Sequence, residues 1–190
     1  MRELKYFVAS SIDGFIAEKD GSFGFFPMSG DHIDDIVQSF PETLPAHART
    51  ALGVHAENRW IDTVLMGRKT YEVGLPFGAT SPYPHLRQYV FSRTMEKSLA
   101  PDVELVRTDP LPFVRALKQQ PGKAIWLCGG GALASALLPE LDELILKLNP
   151  ILLGAGIPLF AEGLSPTRLT RTSVKTYDSG VTFLHYRINR

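Results

Sequence analysis

The chain has 190 residues, 44% of them hydrophobic, with Lys plus Arg and Asp plus Glu balanced at 20 each for a formal net charge of zero. That length and apolar content suffice to bury a full core, so one globular domain spanning residues 1–190 is expected, and the balanced charge supplies no global field to attract nucleic acid or an anionic membrane. The single cysteine excludes an internal disulfide, and no apolar run reaches the ~18 residues of a membrane span.

In chain order, LKYFVAS (residues 4–10) is an apolar and aromatic run that reads as a buried strand, and Asp13-Gly14 turns the chain. Asp13 also interrupts the first apolar stretch too early for a secretory leader, so a protein of a reducing cytoplasm is expected. Residues 20–59 are irregular. Within them Asp31 and Asp34 read as the N-cap and N3 acid of a helix running to Phe40, and Pro45 opens another to Leu52. TVLM (63–66) predicts a strand and GRKTYE the start of a helix. QYVFS (88–92) and Val103–Val106 predict two more strands. Asp109-Pro110 caps a helix to about Lys118. Ala124–Leu127 is expected as a strand, Ala132–Leu138 as a helix and Leu144–Leu148 as a strand. RLTRTSVKTY and VTFLHYRI then alternate in period two around Asp178-Ser179-Gly180, the pattern of a β-hairpin. Strands alternating with helices predict an α/β protein of three layers, α/β/α, with a mixed and mostly parallel central sheet ending in an antiparallel C-terminal hairpin.

The stretch CGGGALASALL (128–138) raises the functional question, because a strand entering three glycines and then a helix is either an anion cradle or a close-packed corner. Gly129, Gly131 and Ala134 satisfy the G-x-G-x-x-A spacing of a dinucleotide fingerprint. No acid closes the following strand, which runs LILKL into Asn149-Pro150, and this argues against an ordinary NAD-type Rossmann site. Met66-Gly67-Arg68-Lys69-Thr70 repeats the layout of strand, glycine and cationic helix start, without the glycine-rich lead-in of a P-loop. Ser92-Arg93-Thr94 follows a third strand. Strand ends carrying Arg, Ser and Thr beside a glycine turn suit a ligand with several phosphates, one of them held by a guanidinium. Together they point to a phosphorylated dinucleotide.

The ordered set VASSIDGFIA, VLMGRKTYEVG, YVFSRT, IWLCGGGALASALL and ILLGAGIPLF resembles the dihydrofolate reductase superfamily, and more closely the branch containing the C-terminal reductase domain of bacterial riboflavin biosynthesis proteins. The resemblance covers most of the chain and implies an NADPH site. Gly67, Arg68, Lys69 and Thr70 match the family's first phosphate-binding turn, and Ser92 and Arg93 the segment gripping the adenosine 2′-phosphate. Gly129, Gly130, Gly131, Ala132 and Leu133 match the pyrophosphate loop, while Ala9, Ile16 and Ala17 match positions lining the nicotinamide. A cis peptide at Gly129-Gly130 and a homodimer are also implied. Cys128 is then a strand residue and not a nucleophile.

Hydride transfer to a small heterocycle, pterin-like or a ribosylated pyrimidine, follows as the expected chemistry. Asp13 matches an acid of the riboflavin-type motif and is the first candidate proton donor, with an Asp-Gly turn as its other reading. Asp31 is the second candidate. With Asp34 and Asp35 it falls where dihydrofolate reductases place a helix bearing their substrate-binding carboxylate, although KDGSFGFFPMSG departs from the folate pattern and helix capping also explains Asp31 and Asp34. Phe23, Phe25, Phe26 and Pro27 are candidates for an apolar lid. The five histidines show no metal-ligand spacing, so no metal site is expected, and no nucleic-acid motif is present. The zinc-ligand cysteines of the deaminase domain that often accompanies such reductases are missing, so riboflavin synthesis does not follow. Two alternatives stand beside this reading: a non-catalytic NADPH-binding sensor or interaction module, and a true dihydrofolate reductase.

Overall fold

The computed structural model describes residues 1–189. Leu4–Ser10 forms β1, and its alternation sends Leu4, Tyr6 and Val8 to one face and Phe7 to the other. Phe15–Ala17 is β2, Asp31–Ser39 α1, Ala46–Ala51 α2, Ile61–Gly67 β3 and Arg68–Glu72 α3. Arg87–Phe91 is β4, Val103–Val106 β5, Pro110–Lys118 α4, Ala124–Gly129 β6, Gly131–Leu137 α5 and Glu143–Leu148 β7. Ile157–Pro158 is β8, and the hairpin comprises β9 (Leu169–Thr176) and β10 (Thr182–Ile188).

One eight-stranded sheet runs β5-β4-β3-β6-β1-β7-β10-β9. The first six strands pair in parallel, and β10 lies antiparallel between β7 and β9. On one face, Val114 and Leu117 of α4 and Leu133, Ala134 and Leu137 of α5 pack on Leu4, Tyr6, Leu65 and Leu127. On the other, Ile36 of α1 and Tyr71 of α3 pack with Phe7, Val64, Met66 and Trp126. Two apolar faces on one sheet demand two covering layers, and the three-layer mixed architecture is the result.

Several sequence signals have visible causes. Asp109 accepts the Leu111 N–H at 3.0 Å and Pro110 takes the first turn of α4, as capping requires. The expected N-cap role of Asp31 is corrected: the cap residue of α1 is Gly30, with no side-chain cap. Asp31 instead accepts the N–H groups of Asp178 at 2.7 Å and Ser179 at 3.2 Å, tying the start of α1 to the turn between β9 and β10. The small β2-β8 ribbon was not anticipated. It lies across the C-terminal ends of β1 and β6, held by Leu159 N–H to Gly14 O at 2.9 Å and Tyr6 Oη–H to Leu159 O at 3.1 Å.

Candidate active site

A cavity of about 1100 Å³ opens at the carboxyl ends of the parallel strands, between the sheet face covered by α1 and α3, the β2-β8 ribbon and residues 21–28. That exceeds the ~300–1,000 Å³ typical for one small ligand. Every residue named as cofactor-contacting, from Ala9, Ile16 and Ala17 through the 67–70 and 92–93 turns to 129–133, reaches its wall. Arg68 links two of those turns by donating to Thr94 Oγ1 at 2.7 Å, while its Nε pairs with Glu72 at 2.7 Å. Ser92 Oγ accepts the N–H groups of Thr94 and Met95, which shapes the turn that presents Arg93.

The three glycines differ from one another. The Gly129-Gly130 peptide is cis. A Cβ on Gly67 would stand 3.8 Å from Gly129 O and from Gly130 N, so two glycine turns face each other with little more than van der Waals space between them. A Cβ on Gly130 would meet nothing nearer than Thr70 Oγ1 at 3.7 Å. Gly131 is different, because its Cβ would overlap the Pro158 carbonyl oxygen of β8. The stretch therefore leaves room beside Gly129 and Gly130 and is a packing corner at Gly131.

The two candidate proton donors do not reach the cavity wall. Asp13 Oδ2 accepts the Gly154 N–H at 2.6 Å, both its oxygens face Leu153 N at 3.1 Å, and Ser11 Oγ donates to Oδ1 at 2.6 Å. The Ser11 hydroxyl and these N–H groups hold its carboxyl down at about 2. A group so acidic stays ionised near neutrality and has no proton to give. Asp31 is occupied with the hairpin turn, and Asp35 with Lys175 at 2.8 Å and the Tyr177 hydroxyl. Asp13 and Asp31 act as staples that set the loops around the cavity.

The wall carries no Asp or Glu among the described residues, and its fixed charges are Arg68, Lys69, Arg93 and Lys147. Lys147, from β7, was missed because LILKL reads as a plain buried strand. Its Nζ lies 4.7 Å from the Phe7 ring centroid, and burial lowers its amine from 10.5 to about 8, with the nearby Cys128 opposing the shift. Burial pushes the Cys128 thiol up to about 11, so it stays protonated, in keeping with a wall residue and not a nucleophile. His32 also lines the cavity; its Nε2 donates to Pro27 O at 3.2 Å and its Nδ1 faces Ser179 Oγ at 2.9 Å. Phe23, Phe26 and Pro27 reach the wall, whereas Phe25 packs against Phe26 in a tilted arrangement with ring centroids 4.4 Å apart. Among the described residues no group of His, Cys, Asp and Glu is arranged to hold a metal, and no helix is long and apolar enough to cross a membrane.

This mixed sheet, with helices on both faces and a cavity at its strand ends, is the dihydrofolate reductase-like fold. Dihydrofolate reductase from Enterococcus faecalis, in complex with NADP(H), superposes with a TM-score of 0.66 at 16% identity over 99% of this chain and 97% of that one. A Shewanella sp. PV-4 protein ascribed to riboflavin biosynthesis superposes at 0.73 with 23% identity over the full length of both chains. The diaminohydroxyphosphoribosylaminopyrimidine deaminase/5-amino-6-(5-phosphoribosylamino)uracil reductase of Thermotoga maritima gives 0.70 at 17% identity, covering 99% of this chain and 57% of that one. The RibD C-terminal domain profile matches residues 2–183, and the chain belongs to that family. It is also similar to the uncharacterised YwjB of Bacillus subtilis (strain 168), with 30% identity over 187 residues and 97% of each chain covered.

Proposed function

We propose that the chain is an NADPH-dependent reductase of a small heterocyclic substrate. The observation that carries this reading is the cavity itself, which joins a glycine cradle flanked by Arg68, Lys69 and Arg93 to an aromatic-floored chamber with no carboxylate on its wall. The cofactor fits the residues present. Side chains at Gly67 or Gly130 would fill the space a pyrophosphate needs, and the guanidinium groups and Lys69 supply the charge for three phosphates. When bound, the reduced nicotinamide supplies the hydride. Ala9, Ile16 and Ala17 would give that ring a small, dry wall, and Phe7 and Trp126 a flat floor for the substrate. The reductases among the fold relatives act on a phosphoribosylaminouracil and on dihydrofolate, which supports a flat nitrogen heterocycle as the acceptor. A homodimer is part of the proposal; β9, at the sheet edge with all of its residues exposed, is the strand available to a second copy.

The test is a paired titration with NADPH and NADH, read by thermal shift, on the wild type and on Arg68→Ala/Arg93→Ala. A saturable preference for NADPH that the double variant loses is expected. No stabilisation by either nucleotide would sink the assignment and leave the glycines as packing residues. Turnover with any heterocycle separates the reductase from a silent NADPH-binding module.

A further inference from the structure

We propose that Lys147 is the specificity-determining residue of the substrate chamber, selecting a flat heteroaromatic molecule that carries an anionic oxygen. This deepens the reductase reading and rests on it for the identity of the chamber.

Lys147 shares its sheet face with Glu143, which stands four residues away at the other end of β7 and is paired with Lys5 at 2.7 Å. In β7, Leu144, Leu146 and Leu148 alternate with Glu143, Ile145 and Lys147 by strand period, and Ile145 belongs to the core cluster built around Phe7, Trp126 and Phe183. The register pairs Lys147 with Ala9 of β1 on one side and with Phe183 of β10 on the other. An ammonium group in such a place normally has a carboxylate beside it. Here the described residues give its Nζ no ion pair within 4.0 Å and no hydrogen-bond acceptor, only the face of the Phe7 ring. A cation over an aromatic face recovers part of the lost hydration and leaves the ammonium's three donors unspent.

The other wall cations do not explain it. Arg68, Lys69 and Arg93 follow β3 and β4, whereas Lys147 lies on β7, three strand spacings from β3 across β6 and β1. At ~4.8 Å per spacing that is about 14 Å from the strand that leads to Arg68 and Lys69, and about 10 Å from β6, which ends in Gly129. A ligand gripped at the cradle and a second ligand over Phe7 and Trp126 would thus meet different cations. With its amine lowered to about 8, Lys147 still carries its charge in the larger part of the molecules at pH 7. The titratable group acting on it is Cys128 of β6, whose thiol is protonated there and lies 3.8 Å from the Tyr83 hydroxyl, itself raised well above its ordinary value. Neither supplies an anion. A charge kept in an apolar chamber without a protein partner is completed by an anion from the ligand, and a cationic ring would meet repulsion with no carboxylate on the wall to receive it. The anionic oxygen has two chemical sources, an exocyclic carboxylate or a ring imide that gives up its N–H proton beside the ammonium.

The experiment measures dissociation constants at pH 7 by quenching of tryptophan fluorescence, with Trp126 in the chamber wall as reporter, with and without NADPH. The probes are quinoxaline-2-carboxylate, its neutral isostere quinoxaline-2-carboxamide, and pteridine-2,4-dione. At least one acid probe is expected to bind wild type tenfold or more tightly than the carboxamide, and which one does so identifies the oxygen. Lys147→Met should abolish that preference and Lys147→Arg should retain it, while the NADPH dissociation constant changes less than twofold in both. Lys147→Gln serves as a second neutral variant, and melting curves establish that each is folded. Equal binding of acid and amide, a preference that survives Lys147→Met, or no binding of any probe to folded wild type would overturn the proposal. Failure of NADPH to bind would sink the reductase reading alone, since the probe titrations without nucleotide still report on Lys147.

Discussion

Replacing Gly67 and Gly131 separately by alanine distinguishes a cradle from a corner. Gly131 is enclosed: its added Cβ would fall well inside 3.0 Å of Pro158 O, with Pro158 C at 3.3 Å and Leu159 O at 3.4 Å. The backbone it strikes has little freedom to retreat. Pro158 pairs with Phe15, Leu159 N–H donates to Gly14 O at 2.9 Å, and Ala161 N–H donates to Ser135 Oγ at 2.8 Å. Overpacking of this kind costs about 1–3 kcal/mol, and a carbonyl held on both sides belongs at the upper end. At ~2–4 °C per kcal/mol for a chain of this size, Gly131→Ala should melt roughly 6–12 °C below wild type. Gly67 has φ −72° and ψ 158°, ordinary for alanine, and its Cβ would stand 3.8 Å from the nearest backbone atoms. Gly67→Ala should therefore melt within about 2 °C of wild type, helped by the lower entropy of its unfolded chain. Its methyl group nevertheless occupies the gap between the two glycine turns, and NADPH affinity should fall tenfold or more. Differential scanning fluorimetry and calorimetric titration read both. Wild-type NADPH affinity in Gly67→Ala, or wild-type melting in Gly131→Ala, would refute the division of roles.

Two further outcomes follow from the polar scaffold. The Lys118 ammonium is buried at 1% exposure and donates to Asp142 Oδ2 at 2.7 Å and Glu140 O at 2.8 Å, joining the end of α4 to the entry of β7. Lys118→Met removes one partner of a buried ion pair, so a loss of about 3 kcal/mol and a melting point lower by ~6–12 °C are expected; a fall under 2 °C would show that the pair contributes nothing. Asp13 titrates below its unfolded value, so the staple it forms stabilises the fold above the ordinary carboxylate range and is lost as pH falls towards about 2. Asp13→Asn should accordingly melt below wild type at pH 7, with the gap closing between pH 5 and pH 2, and a gap independent of pH would show that the charge has no part in it.

Most of the central sheet was legible because its strands announce themselves by apolar runs bounded by turn residues, and α4 by Asp109-Pro110. The β2-β8 ribbon was not, since three residues pair with two some 140 positions later and carry no periodicity of their own. The proposed cradle was legible from glycines and cations at strand ends, yet glycine spacing could not separate Gly130, where an added Cβ would make only ordinary contact with Thr70 and Ile16, from Gly131, where it would overlap Pro158. The substrate chamber was the least legible part. Its one sign was Lys147 two residues after Ile145 in the otherwise apolar run LILKL, where period two places a charge on a core face.

The acids of α1 show why the substrate end escaped a motif-based reading. Asp31, Asp34 and Asp35 stand at i, i+3 and i+4 and so share one helix face, while His32, Ile33 and Ile36 share the face that reaches the cavity. Asp31 and Asp35 are drawn to the hairpin by the Asp178 and Ser179 N–H groups, the Tyr177 hydroxyl and Lys175. Residues on a helix are set ~100° apart, so bringing either carboxylate to the cavity would require rotating α1 and exposing Ile36, now 5% exposed, together with His32. The packing of Ile36 against the Phe7 cluster opposes that rotation, and the loss of four contacts to the hairpin adds to the cost. The register of α1 thus keeps Asp31 and Asp35 away from the cavity, on the helix where the resemblance to dihydrofolate reductases would place a substrate-binding carboxylate. The same register leaves the chamber with cations alone, which makes ligand charge the property that selects its substrate.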